Sequence, residues 1–277
     1  MHEAERGNTV RRIARAGDPD RSLAALFEPP DTRAGLFALY AFNVELARIA
    51  EQVSEPGLGL IKLQWWREAI ERAGKGETTG NPVADAFGET LRRRALSPTR
   101  IETLIGARHF DITERIMPDW PALEAYLRDT AGTVFALTGE IVGARRPALE
   151  PACEAAGQAF GLTGLMRALP MHAAKGRVYL PADMLRRHGT SPERILAGET
   201  GVGLKHVLGE LRQKAQDALD EAMRHLTELD TPTRMAFRPL SLVEPYLVAL
   251  SKSGRDPLHQ IAEINPLTRL WRMARWS

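Results

Sequence analysis

The 277-residue sequence holds one cysteine, Cys153. No intrachain disulfide can form, which fits a reducing compartment. Ala152, Ala155 and Ala156 beside it place the thiol on a helix, where a buried, inert role is expected. No apolar run approaches the roughly 18 residues of a membrane span. The N-terminus, Met1-His2-Glu3-Ala4-Glu5-Arg6, lacks the apolar centre of a signal peptide and carries acids that transit peptides avoid. A cytoplasmic protein, or an already processed one, is expected. No sign of charge dominates: the net charge is +2 and 26% of residues are charged. The pI near 8.8 is only mildly basic, so no nucleic-acid partner is expected. Sustained period-two alternation, low-complexity linkers and repeats of solenoid period are also missing. A single domain over residues 1–277 is therefore expected, and 44% hydrophobic residues suffice for a sizeable core.

Helix signals are abundant. Asp18-Pro19, Asn81-Pro82, Ser97-Pro98, Ser191-Pro192 and Asp256-Pro257 each set a capping side chain before a proline. The cap oxygen accepts from a free backbone N–H, and proline at the first helical position wastes no donor. Leu36, Leu39, Tyr40, Asn43, Ala47 and Ala50 recur at steps of three and four. Leu204, Val207, Leu208, Leu211, Ala215, Ala218, Leu219 and Ala222 stripe a long charged helix over residues 201–229. An all-α protein of about ten helices is predicted, with longer loops only at residues 74–80 and 170–181. Two stretches are rich in small residues, Thr130-Ala131-Gly132-Thr133 and residues 155–164. Glycine inside a helix costs about 1 kcal/mol against alanine, so close helix approach, or room for a ligand, is expected there.

Three further clusters have plain readings. Asp111 and Glu114 lie one turn apart beside His109, but Arg108 and Arg115 flank them, and a solvated ion-pair face is expected rather than a metal site. Gly201-Val202-Gly203 follows no strand and is no dinucleotide fingerprint. Residues 267–276 contain no acid. On a helix within residues 257–276, Leu267, Leu270, Trp271 and Ala274 share one side, and Arg269, Arg272 and Arg275 another. Two readings fit: a helix at an anionic membrane interface, or a final helix docked on the body with its arginines in solvent.

Four motifs occur in order: Leu39-Tyr40-Ala41-Phe42, Gln64-Trp65-Trp66-Arg67, Ala131-Gly132-Thr133-Val134 and Lys175-Gly176-Arg177-Val178-Tyr179-Leu180-Pro181. Over residues 20–255 the chain resembles the squalene/phytoene synthase family. The resemblance implies a single all-α isoprenoid-synthase bundle around a central apolar cavity, with two acid-bearing helices facing each other at its mouth. Active members join two isoprenoid diphosphates head to head. Acids four residues apart on each helix hold the magnesium that neutralises the departing pyrophosphate, since i and i+4 stand one above the other.

In this chain the matching positions read Ala47 and Glu51, then Ala168 and His172. Arg48 stands where a second acid is usual, and Met171 replaces another. Alanine offers no ligand, and histidine is a poor one for magnesium. The resemblance therefore implies a pseudoenzyme with no catalytic residues, no metal and no cofactor. Tyr40, Asn43, Glu51, Arg167, Lys175 and Arg177 are the candidate residual cavity or anion-site residues. Lys175 and Arg177 match a basic stretch near the diphosphate in the family, where they either keep an anion site or cover a loop. For His172, a hydrogen-bonded histidine is expected over a metal ligand.

Phe42-Asn43-Val44-Glu45-Leu46-Ala47, Val53-Ser54-Glu55 and Leu165-Met166-Arg167-Ala168-Leu169-Pro170-Met171-His172 resemble the branch of the family that assists assembly of respiratory complex I, with Pro170 in place of a glycine. That implies complex I subunits or assembly intermediates as partners, an isoprenoid or other lipid in the cavity, and peripheral contact with an inner membrane. The alternatives are a magnesium-dependent prenyl transferase using Glu45, Glu51 and other acids, and a lipid carrier.

Overall fold

A computed structural model describes residues 3–144 and 149–276. Met1 and His2, part of the N-terminal stretch read above, and Ser277 lie outside them. The described residues form fifteen α-helices in the order α1 (Glu3–Gly17), α2 (Pro19–Ala25), α3 (Pro30–Gln52), α4 (Pro56–Gly74), α5 (Pro82–Arg94), α6 (Pro98–Thr113), α7 (Trp120–Leu127), α8 (Thr133–Val142), α9 (Leu149–Ala174), α10 (Ala182–Arg187), α11 (Pro192–Leu196), α12 (Val202–Leu226), α13 (Thr231–Met235), α14 (Val243–Ser251) and α15 (Pro266–Ala274). A π-helical turn, Arg128–Gly132, joins α7 to α8, and a 3-10 turn, Arg238–Leu242, precedes α14. Among the described residues there is no strand, only an isolated parallel bridge between Ile116 and Val178. The all-α expectation holds. The expected count was low because α10, α11 and α13 are too short to show a period.

The caps explain most of the starts. Asp18 accepts from the Arg21 amide, Asn81 from Val83 and Ala84, and Ser191 from Arg194. Ser97 Oγ takes the Arg100 amide at the head of α6. Asp256 departs from the expectation: it accepts from Leu258 N and pairs with His259, closing one turn that no helix follows. The last helix begins instead at Pro266, capped by Asn265, so it is shorter than residues 257–276. The predicted loop at residues 170–181 is also shorter, because α9 runs through Pro170 to Ala174.

The chain divides into two compact units. Unit 1 comprises Met1–Thr113, Thr133–Glu150 and Asp230–Pro239. Its core centres on α3, where Phe42 stacks on Phe87 at 4.6 Å and meets the edge of Trp66 at 5.4 Å. Phe135 of α8 stacks on Phe237 at 5.4 Å, with the Arg21 guanidinium 5.2 Å from its ring. Arg100 holds α6 to α8 by reaching Glu140 at 2.9 Å, and it also pairs with Glu150. The loop after α4 turns at Gly76 and Gly80, whose positive φ values suit glycine. Asp85 fastens it by accepting from Thr79 N and Oγ1, each at 2.7 Å.

Unit 2 comprises Glu114–Gly132, Pro151–Leu229 and Leu240–Ser277. In α12 the predicted stripe is the buried face, from Leu204 to Ala222. The small-residue stretches meet within this unit. A Cβ on Gly157 would overlap the backbone of Gly132, and one on Gly161 would strike Leu127 and Ala131. These glycines serve close approach; beside Gly164, by contrast, nothing lies within 4 Å. Cys153 is buried here, as expected.

Candidate functional site

In unit 1 the candidate residues ride on α3. No sheet or loop positions them; the helix does, through a heavily buried run from Gly35 to Leu46. Tyr40 is buried, with its hydroxyl 3.5 Å from Thr138 Oγ1 on α8. Burial pushes its pKa up from about 10 to about 12, against a smaller opposing pull from that contact. One turn on, Asn43 is half-buried, and its Oδ1 accepts from Arg108 Nη2 at 2.8 Å. Arg108 Nη1 also donates to Asp111 Oδ2 at 3.1 Å. Ala47 is half-buried and Glu51 exposed at the end of the same helix. Thus Tyr40 and Asn43 turn toward α8 and α6, while Glu51 points outward.

Arg108 and Asp111 correct an expectation. They do form an ion pair, but it is not solvated: the two residues are 7% and 3% exposed. Their positions explain it. Ile101, Leu104, Ile105, Arg108, Asp111 and Ile112 make one stripe of α6, so the pair lies on the buried face. The link from Arg108 to Asn43 was not foreseen, although the periodicity of α6 carried the signal. A buried guanidinium needs several acceptors, and Asp111 with Asn43 supplies two.

In unit 2 the candidates follow the end of α9. Arg167 lies flat on Tyr246, its Cζ 3.5 Å from the ring centroid, and its Nε donates to Ala262 O at 3.1 Å. The Tyr246 hydroxyl in turn accepts from Arg269 Nη2 at 3.0 Å. These partners lie about 80 to 100 residues away in sequence, which is why α9 alone gave no hint of them. Ala168 is half-buried and Met171 exposed. The His172 ring lies 4.7 Å from that of Tyr179, which is itself 5.7 Å from Tyr126. Lys175 is exposed at the helix end, where Gly176 turns with φ of 71°. Arg177 Nη1 donates to Glu114 O at 3.2 Å. Backbone bonds from Val178 N to Arg115 O and from Met117 N to Val178 O fix the segment that follows.

The chemistry open to these side chains is that of an amide, a phenol, an imidazole, the Glu51 carboxylate and several cations. Magnesium asks for converging hard oxygen donors. Among the described residues, no group of three or more His, Cys, Asp or Glu is placed to hold a metal ion.

The sequence profile of squalene/phytoene synthases matches residues 14–273. The chain belongs to the squalene/phytoene synthase family. Among relatives in this family, the chain is 28% identical over 247 residues to the NADH dehydrogenase (ubiquinone) complex I assembly factor 6 of Bos taurus, covering 89% of this chain and 74% of that protein. It is 29% identical over 266 residues to a phytoene synthase of Thermus thermophilus, covering 93% and 88%. The fold is similar to that of the crystal structure of squalene synthase HpnC from Alicyclobacillus acidocaldarius, with TM-score 0.78 and 23% identity over 89% of this chain and 93% of that one. A dehydrosqualene synthase in complex with ligand gives TM-score 0.81 at 16% identity, covering 98% and 95%. The isoprenoid-synthase fold expected from the motifs is thus the fold observed.

Proposed function

We propose that this chain is a non-catalytic member of the squalene/phytoene synthase family that helps assemble respiratory complex I. The observation that carries the proposal is the set of side chains where the family's acids are expected: Ala47 beside Arg48 on α3, and Ala168 followed by Met171 and His172 on α9. The buried Arg108 adds to it, placing a guanidinium on Asn43 one turn before Ala47. Metal stabilisation of a leaving group is worth several kcal/mol. At about 1.4 kcal/mol per factor of ten, its loss slows ionisation of an allylic diphosphate by several orders of magnitude. The relative named as a complex I assembly factor supports the cellular role. Complex I subunits or assembly intermediates are the partners on this reading, and an isoprenoid or other lipid is retained without turnover.

A second reading is a working prenyl transferase. It is supported by the likeness to the Thermus thermophilus phytoene synthase and by the acids Glu45 and Glu51 that remain on α3. A third, a lipid carrier, keeps only the binding. The test is to incubate the pure protein with farnesyl and geranylgeranyl diphosphate and magnesium, and to follow pyrophosphate. No release is expected, together with loss of assembled complex I in a deletion strain. Release that disappears in Glu51→Ala establishes the transferase instead. Tight prenyl-lipid binding with complex I intact points to the carrier.

A further inference from the structure

The last helix faces the wrong way for a docked helix of a water-soluble body. In α15, Leu267, Leu270, Trp271 and Ala274 make the apolar side. A helix packed for stability alone turns that side inward. Here Leu267 is 75% exposed, Leu270 47% and Trp271 55%, while Met273, on another side, is fully buried. The cationic side is the one that grips unit 2. Arg269 Nη2 donates to the Tyr246 hydroxyl, and Arg272 Nη1 reaches Glu244 Oε2 at 2.9 Å. Of the two readings open in the sequence, the docked helix is seen in part: Arg269, Arg272 and Met273 hold it to the body, Arg275 is exposed, and the apolar side faces outward.

We propose that α15 seats the protein in the plane of a bilayer bearing anionic phospholipid, with Leu267, Leu270 and Trp271 entering the interface. Three observations select this occupant. First, residues 264–276 carry no acid and their Arg275 is exposed, which complements an anionic surface. Second, the exposed Arg275 keeps its Cζ 5.0 Å from the Trp271 ring, so cation and indole share one edge, as interfacial helices arrange them. Third, the area is wrong for a stable dimer. Three side chains offer only a few hundred Å², against about 800 Å² per partner in a standard protein interface.

A groove of about 460 Å³ runs beside the helix. Leu219, Met223, Leu240 and Trp271 give it an apolar wall, and Asp220 and Glu244 also line it, the latter held by Arg272. A lipid's glycerol region can enter there next to Arg275. No described helix is long and apolar enough to cross a membrane, so the contact lies along the surface. The proposal does not depend on whether the chain catalyses anything.

The experiment is co-sedimentation of the full chain with phosphatidylcholine vesicles, with and without phosphatidylglycerol, at low and raised salt. Partitioning onto the anionic vesicles is expected to be about tenfold stronger or more, and to weaken with salt. Leu270→Glu should lower it by at least about tenfold while leaving the far-ultraviolet circular dichroism unchanged, because the side chain is half exposed. Trp271→Ala is the second variant and should act in the same direction. Tryptophan emission should shift to the blue on anionic vesicles in the wild type, and not in Trp271→Phe. Equal binding by wild type and both variants overturns the proposal, as does no binding to either vesicle. Self-association without lipid that Leu270→Glu abolishes assigns the face to a second copy of the chain instead.

Discussion

Arg108 and Tyr40 show how one residue's surroundings override its type. Both carry polar groups, and both sit on helical positions that the apolar stripe claims. The sequence displayed those positions plainly, yet residue type alone placed Arg108 in solvent. Its acceptors come from its own helix and from Asn43, which is 65 residues away. Tyr40 gives a measurable consequence. Its folded pKa of about 12 exceeds the ordinary value near 10, because burial disfavours the phenolate. The folded state therefore binds more protons than the unfolded state at high pH. The contribution is whole below about pH 10 and is lost as pH rises through about 12, a span worth roughly 3 kcal/mol. Tyr40→Phe should remove that alkaline slope. Urea denaturation of both proteins from pH 9 to pH 12 checks it: parallel stability curves would mean that Tyr40 does not titrate as described.

Helices were the most legible level. Caps and periodicity gave the starts of α2, α5, α6 and α11 and the buried face of α12. Three elements escaped. Asp256-Pro257 has the form of a helix start but closes only a turn, although Leu258, Ile261 and Ala262 after it keep helical spacing. Pro170 reads as a stop, yet α9 continues for another turn. The π turn at Arg128–Gly132 carries no propensity signal, and its glycine is explained only by the helix that presses on it. The packing between these two elements can be tested. Gly157→Ala gains about 1 kcal/mol in helix propensity. The added methyl overlaps the Gly132 backbone, and such overpacking costs about 1–3 kcal/mol, so a net loss of stability is expected. Gly164→Ala, on the same helix with nothing within 4 Å, should be neutral or up to about 1 kcal/mol more stable. Chemical denaturation of the two variants decides it, and equal effects would refute the close approach.

At the scale of the molecule, family motifs made the fold legible, because they recur in a set order along most of the chain. The candidate site was less so. The sequence named Tyr40, Asn43, Arg167 and Arg177, but not the distant groups that hold them: Thr138, Arg108, Tyr246 and Glu114 O. Neither unit is a continuous stretch of chain; each is assembled from three segments. We therefore expect one cooperative unfolding transition, in line with a single domain. Circular dichroism and tryptophan emission should give coincident urea curves, and two separated midpoints would contradict this. The same interleaving bears on how the protein is made. Phe237, which covers the ring of Phe135, leaves the ribosome about a hundred residues after it. At some 5–20 residues per second, the nascent chain carries that uncovered aromatic for roughly 5–20 seconds. For that interval the segment around Phe135 lacks its last native neighbour, and α8 reaches its final packing only when residues 230–239 have emerged.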